Sequence, residues 1–312
     1  MFCDGRKGDI DELPASFIYT VSSTFEGGQE WLANVPQLIA ACETRWGLRV
    51  QAHFADLSYN YVAAANMPDG TEIVLKLGVP REELTTEIEA LRLYDGRAMC
   101  RLVDADAEQG ILLLERLRPG HMLTAVSDDE EATRIAADVM RRLWRPLPEG
   151  HSFPAVAEWA SGLAELRAEF GSTTGPFSAR LVEMAESLFA DLLASSAEPV
   201  LLHGDLHHYN ILAAEREPWL AIDPKGASGE PAYEVGALIR NPMPDIYGWS
   251  DLERVLARRF DILAEVLALE RQRLVAWSVA QQVLSAWWAY EDLRNEEWRP
   301  TMAVAEVLAR AL

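Results

Sequence analysis

The sequence predicts an α+β protein of two lobes, a small β-rich one followed by a larger, mostly helical one. Three observations lead there. Strand-like runs crowd into the first third of the chain, helical periodicity dominates from about residue 127 onward, and a single β-like island at 200–223 interrupts the helices. The length of 312 residues points the same way, since domains run to roughly 150 residues each.

Within the first lobe, the initial 25 residues read as irregular. Residues 27–47 predict a helix, because Trp31, Leu32, Val35, Leu38, Ile39 and Cys42 recur at three- and four-residue intervals before Gly47. Strands follow at Tyr61 to Asn66 and Thr71 to Leu77, separated by the turn MPDG, the second rich in β-branched residues. Leu84, Ile88, Leu91 and Tyr94 share one face of a helix from about 82 to 94. Two further strands are expected near 101–104 and 111–114. The segment ERLRPG at 115–120 then breaks the pattern with Pro119 and Gly120, which divides the chain into lobes at 1–117 and 118–312.

The second lobe opens with SDDE, a helix N-cap whose acids sit at the positive end of a helix reaching Leu143. Helical patterns recur at 155–169, 178–195, 251–268, 271–292 and 300–312. The segment at 274–292 is apolar round most of its circumference and therefore predicts a buried helix, with Trp287 and Trp288 mainly core.

Composition narrows the function. Hydrophobic residues make up 49% and charged residues 25%, an ordinary globular mixture. The net charge of −21 argues against nucleic acid, because a protein must bring cations to displace the counterions of phosphates. It suits solubility and the steering of a cationic small partner. No uncharged apolar stretch nears the ~18 residues of a membrane span, and the N-terminus has no apolar signal-peptide core. Cys3, Cys42 and Cys100 are widely spaced, with no CxxC. A cytoplasmic, monomeric protein is expected. Of the 28 basic residues only Lys7, Lys76 and Lys225 are lysines, leaving 25 arginines. Lysine is then of interest wherever a compact ammonium does what a guanidinium does not.

The island at 200–223 carries the chemistry. A short apolar strand runs into His203-Gly204-Asp205, Asn210 follows five residues later, and a hairpin through the turn EREP returns the chain to Asp223. Asp205, Asn210 and Asp223 could thus converge, all with oxygen ligands suited to Mg²⁺. Alone, His203-Gly204-Asp205 reads as a tight turn and Asp223 as a cap. Within the island, His203 is expected to pack and hydrogen-bond the loop, His207 to orient it, and His208 to lie on the surface.

The run HGDLHxxN followed by IDPKG resembles the catalytic and metal loops of the aminoglycoside phosphotransferase family, which has a protein-kinase-like fold. With YNYVA, ALRLYDG, DDEEAT and RRLWRPLP, the chain is most similar to the streptomycin 6-phosphotransferase and hydroxyurea phosphotransferase subfamily. The resemblance spans about Trp31 to Leu293. It implies a bilobal α+β fold, with a small antiparallel β-sheet N-lobe that binds nucleotide and a mostly helical C-lobe with the catalytic and metal loops. It implies an ATP- and Mg²⁺-dependent O-phosphotransferase acting on a hydroxylated, cationic small molecule, with GTP left open as the donor. Streptomycin at its 6-hydroxyl is the leading acceptor, and hydroxyurea or another metabolite the alternative.

Carried over residue by residue, the resemblance makes Asp205 the catalytic base and assigns Asn210 and Asp223 to metal. Lys76, a lysine inside an apolar strand, would meet the nucleotide phosphates, with Glu87 its partner and Glu89 the rival. Lys225 would contact phosphate, or else be plain surface. The nucleotide loop has no glycine, which leaves Ser58 and Asn60 as its candidate contacts, and the backbone from Glu115 to Leu117 would receive adenine. Glu230, Glu234, Asp245, Glu291 and Asp292, with Trp249 as an apolar wall, are the acceptor candidates. Carboxylates suit guanidinium groups because both are planar and pair in bidentate fashion. Two other classes stay open. A metal-dependent hydrolase would use His203, Asp205, His207 and His208 as a cluster, and a nucleotide-binding protein would lack catalysis.

Overall fold

The computed structural model describes residues 13–312, so Cys3 and Lys7 lie outside the described part. The chain forms two compact units. One holds the residues up to Gly96 together with Cys100–Leu117, and the other holds Arg97–Met99 and Arg118–Leu312. The excursion at Arg97–Met99 has a plain cause. The amide of Ala221 donates to the Ala98 carbonyl at 2.9 Å, and Arg216 Nη2 donates to the Met99 carbonyl at 2.9 Å.

The first unit begins with α1 (Ala15–Thr24) and α2 (Gly28–Trp46). Helix α1 replaces the irregular start expected from the sequence. Only Phe17 and Val21 are buried on it, so its apolar face is two residues long and gives little periodic signal. An antiparallel sheet follows, built from β1 (Arg49–His53), β2 (Tyr61–Asn66), β3 (Glu72–Leu77), β4 (Leu102–Asp106) and β5 (Ile111–Glu115) in the order β1-β2-β3-β5-β4. Strand β1 lies at the edge and buries none of its residues fully, so its sequence does not alternate. Helix α3 (Glu82–Tyr94) connects β3 to β4. Residues from α1, α2, β2, β3 and β5 share one apolar cluster that includes Phe17, Leu32, Ile39, Tyr61, Leu75 and Leu113.

The second unit is mostly helical. Around α10 (Arg271–Leu293) pack α6 (Gly162–Glu169), α7 (Ala179–Ala194), α8 (Val235–Ile239), α9 (Leu252–Leu267) and α11 (Arg299–Leu308). Helix α10 buries apolar residues on nearly all sides, Trp277 and Trp287 among them. Helix α4 (Asp129–Leu143) is capped by Asp128, whose carboxylate accepts the amides of Glu130 and Glu131 at 2.9 and 3.1 Å. Helix α5 (Val156–Ala160) precedes α6. Two small antiparallel sheets complete the unit. One runs β10 (Trp219–Ala221), β9 (Ile211–Ala214), β6 (Pro119–Met122), and the other β11 (Ala227–Gly229), β8 (Val200–Leu202), β7 (Arg145–Pro146). Pro119, expected to end the β pattern, instead opens β6, a position where a strand tolerates a residue without an N–H. Among the described residues no helix is long and apolar enough to cross a membrane.

One backbone contact closes the end of the β3–β5 pair. The Gly78 amide donates to the Gly110 carbonyl at 2.9 Å, and Gly110 has φ +70°. A Cβ there would lie 2.1 Å from the Gly78 carbonyl oxygen. Gly110→Ala is therefore expected to lose about 2 kcal/mol or more in urea denaturation, and a loss under ~0.5 kcal/mol would contradict the contact.

Candidate active site

The end of β8 delivers the loop 203–210, which a 3-10 turn at His208–Asn210 hands on to β9. His203 is buried. Its Nε2 donates to the Ile222 carbonyl at 2.8 Å, so Nδ1 is the acceptor for the Asp205 amide at 3.2 Å. Both ring nitrogens are thus occupied by the loop. Burial pushes the His203 pKa down to about 4, keeping the ring neutral.

Behind this loop lies Glu234, also buried. Its two carboxylate oxygens accept the amides of His203 at 2.7 Å and Gly204 at 2.9 Å. Burial raises the Glu234 pKa to about 7, while the two amide bonds oppose the rise. Asp205 faces the other way, with a quarter of its side chain open to solvent. Arg240 Nη2 donates to its Oδ1 at 3.1 Å, and His207 Nε2 stands 3.6 Å from its Oδ2. Removal from water works to raise the Asp205 pKa, yet His207, Arg240 and Lys225 together hold it well below the usual carboxylate range. Asp205 is an ionised carboxylate with Oδ1 held by Arg240.

The rest of the island closes on the same loop. The Ile222 amide donates to the Asn210 carbonyl at 3.0 Å, and the amides of Lys225 and Gly226 both donate to the His203 carbonyl, at 2.8 and 3.2 Å. Asp223, between these staples, has φ +58°, a left-handed backbone that is rare outside glycine and concentrates at functional sites. Asn210 Nδ2 donates to the Asp205 carbonyl at 3.0 Å, which leaves its Oδ1 as the carboxamide end able to ligate a cation. With the Asp223 carboxylate, the oxygen donors fit Mg²⁺, a hard ion. His208 corrects the expectation of a surface residue, because it is buried and its pKa falls to about 3. With His203 fully engaged and His208 enclosed, the hydrolase cluster does not form. Among the described residues no three His, Cys, Asp or Glu side chains gather as a metal site.

In the first unit, Lys76 points from β3 into the interior and meets Glu87 of α3. Its Nζ donates to both Glu87 oxygens, at 2.7 and 2.8 Å, and both side chains are buried. Glu89, two residues on, is half-buried on another face of the helix. Ser58 is exposed in the loop before β2. Asn60 is half-buried there, its Oδ1 enclosed beside Gly78. At the end of β5, the Glu115 amide donates to the Arg101 carbonyl at 2.8 Å and its carboxylate accepts the Arg101 amide at 2.9 Å. Leu117, at the limit of the unit, is buried.

A family model described as aminoglycoside/hydroxyurea antibiotic resistance kinase matches residues 45–293. The chain belongs to this family. Streptomycin 6-kinase from Streptomyces griseus is 36% identical over 287 residues, covering 91% of this chain and 92% of that protein. Hydroxyurea phosphotransferase from Kitasatospora aureofaciens is 36% identical over 310 residues, 97% and 87% of the two chains. Among solved structures, choline kinase LicA from Streptococcus pneumoniae has a TM-score of 0.64 at 14% identity, covering 88% of this chain and 98% of that one. The fold is protein-kinase-like, and the protein is a small-molecule kinase.

Within this kinase, the acidic residues expected at an acceptor site divide. Glu230 is buried and binds Arg273 through both oxygens, and it also accepts Trp277 Nε1 at 3.2 Å. It ties α10 to the segment before α8. Glu234 has both oxygens already holding the amides of His203 and Gly204, behind the 203–210 loop. Trp249 stacks its ring on Arg259, 5.2 Å from the guanidinium carbon to the ring centre. Asp245 is exposed, near enough to Tyr209 to raise that phenol's pKa, after burial. Glu291 is exposed and Asp292 half-buried at the end of α10. Partial burial, then Glu165 and Asp292, raise the Glu291 pKa. Trp287 is core, whereas Trp288 packs edge-on against Trp159 at 5.8 Å.

Two neighbours of the loop escaped the sequence reading. Trp159 lies against Gly204, where a Cβ would come within 2.8 Å of its ring and where φ is +85°. Arg240 was one arginine among many. No local pattern marks either, because each reaches the loop from a distant part of the chain.

Two outcomes follow from burial. Removing one member of a buried ion pair leaves an uncompensated charge, so Glu87→Ala is expected to cost about 3–5 kcal/mol in chemical denaturation. The double change Lys76→Met, Glu87→Leu should cost much less, and equal losses would show that the pair's charges do not matter. His203, held near pKa 4, refuses a proton that the unfolded chain accepts at its ordinary 6.5. Its contribution is complete above pH 6.5 and lost as pH falls toward 4, about 3 kcal/mol in all. Denaturant midpoints should drop over that window, and His203→Asn should flatten the drop.

Proposed function

We propose that this kinase transfers the γ-phosphoryl group of ATP to a hydroxyl of a small molecule, with streptomycin at its 6-hydroxyl as the leading acceptor and antibiotic resistance as the outcome. The observation that carries the reading is the ionised, pinned Asp205 carboxylate, in a family whose members include a streptomycin 6-kinase 36% identical over 91% of this chain. The hydroxyurea phosphotransferase is equally identical, which keeps hydroxyurea as the second acceptor to try.

In this reading Asp205 orients the acceptor hydroxyl and receives its proton, so the attacking oxygen is aligned before charge develops. Lys76 holds phosphate oxygens of the nucleotide, and Glu87 keeps its ammonium extended. Asn210 Oδ1 and the Asp223 carboxylate would hold Mg²⁺, which when bound would neutralise the phosphate charge. Lys225, whose charge already reaches Asp205, adds a second ammonium near the transferred group. Ser58, Asn60 and the 115–117 backbone serve the nucleotide, and a solved LicA complex with AMP supports a nucleotide on this fold. The unit ending at Leu117 is then the nucleotide-binding one, and the unit from Arg118 carries catalysis and the acceptor. Glu291 and Asp292, with Glu165 close by, receive a cationic acceptor. An enzyme that consumes ATP works where ATP is made, which favours the cytoplasm, and one chain supplies every group named here.

The test is ADP release with streptomycin and then hydroxyurea, in ATP and Mg²⁺. Wild type should turn over at least one of them, and Asp205→Ala should lose about 1,000-fold or more in kcat while still binding ATP. Normal turnover in that variant would overturn the assignment of the base.

A further inference from the structure

Arg240 sits at the C-terminal end of α8, six residues after Glu234, which immediately precedes that helix. The two side chains grip the catalytic loop at different points. Glu234 holds the backbone amides of His203 and Gly204, and Arg240 holds Oδ1 of Asp205. One grip fixes where the loop is, and the second fixes how the carboxylate is turned.

The second grip is itself braced. Arg240 Nη1 lies 3.4 Å from Gln281 Oε1 of α10. That approach depends on Gly236, where a Cβ would come within 1.7 Å of the same oxygen. The backbone on either side of Arg240 is held by Arg259, which is fully buried. Its Nη1 donates to the carbonyls of Leu238 at 3.3 Å and Asn241 at 2.6 Å. Arg259 is anchored in turn to Asp129 at 2.5 and 3.0 Å. A surface arginine that merely met a carboxylate would have none of this support.

The carboxylate's two oxygens are therefore unequal. Oδ1 has a bound guanidinium at 3.1 Å, while His207 Nε2 stands 3.6 Å from Oδ2, beyond hydrogen-bond range. His207 Nδ1 accepts the Tyr209 amide at 3.3 Å, and its Nε2 also lies 3.4 Å from the Asn210 side-chain amide nitrogen.

We propose that Arg240 is the positioning residue for the base, and that by occupying Oδ1 it leaves Oδ2 of Asp205 to take the acceptor's proton. The assignment rests on the phosphotransferase reading above. As the acceptor oxygen bonds to the γ-phosphorus, its O–H bond breaks and the proton passes to Oδ2. The bond between the γ-phosphorus and the bridging oxygen breaks, and its electron pair leaves on the β-phosphate of ADP.

The experiment compares wild type, Arg240→Ala, Arg240→Lys and Asp205→Asn, with streptomycin and hydroxyurea as acceptors, alongside thermal melts. Arg240→Ala is expected to lower kcat about 100-fold and leave KM for ATP and acceptor within about threefold, because a misaligned base impairs the reaction more than binding. Guanidinium chloride, well below denaturing concentrations, should restore part of that kcat and should restore nothing to Asp205→Asn. Arg240→Lys keeps the charge without the planar fork, so it should melt like wild type and still lose kcat. Should Arg240→Ala not fold, Arg240→Lys decides alone. Wild-type kcat in the folded arginine variants overturns the inference while leaving the kinase reading intact. So does a fall in kcat that tracks a lowered melting temperature and is not rescued. Failure of wild type itself to phosphorylate either acceptor overturns the proposed acceptor reading and the inference that rests on it.

Discussion

The second unit is organised around one buried carboxylate. Glu234 accepts the amides of His203 and Gly204, two consecutive donors that a tight turn would otherwise leave without partners inside the protein. A buried, unsatisfied amide costs on the order of 1–3 kcal/mol, and here one side chain satisfies two. The burial of His203, the straight run of β8 into the loop and the outward turn of Asp205 all follow from that anchoring. Glu234 in turn needs its position at the start of α8, which α10 secures through Gln282 Nε2 donating to the Gly236 carbonyl at 2.9 Å. The buried helix α10 thus supports the 203–210 loop through two intermediaries.

The sequence exposed those features in which a polar residue interrupts an apolar run. Lys76 stands out in a β-branched strand, and Asp205, Asn210 and Asp223 stand out because they punctuate a short β island. Long helices announced themselves by period, and α10 by its apolar circumference. Features built from long-range geometry stayed hidden. Arg240 lies 35 residues from its partner Asp205, and in a chain with 25 arginines its type carries no information. Glu230 and Glu234 look alike in sequence, yet one closes a core ion pair and the other holds the backbone of the His203-Gly204 turn. Helix α1 and strand β1 were missed for the opposite reason, since too few of their side chains are buried to leave a pattern.

Charge type is also partitioned by task. Arginines in or beside the core serve structure, because the planar fork can satisfy several acceptors at once. Arg259 binds Asp129 and two carbonyls with no exposure, and Arg273 joins Glu230 to the Leu192 carbonyl at the end of α7. The two described lysines, Lys76 and Lys225, sit instead in the two segments that resemble phosphate-handling motifs. A flexible ammonium with three donors can move from a carboxylate to a phosphate oxygen at little geometric cost, whereas a guanidinium that braces three groups cannot.

The short helix α8 has a consequence for how this protein can vary. It is a spacer of fixed length between a negative grip and a positive one, and both grips act on the same eight-residue loop. Adding or removing a residue within Val235–Ile239 would rotate Arg240 by about 100° around the helix axis and carry its guanidinium off Asp205. Side chains along the spacer can change within the limits of packing, but its length cannot. The EREP turn between β9 and β10 bears no such constraint beyond the contacts of Arg216 and Glu217. Insertions that this kinase could accept therefore belong in the turn, and the register of α8 is the dimension on which the contact of Arg240 with Asp205 depends.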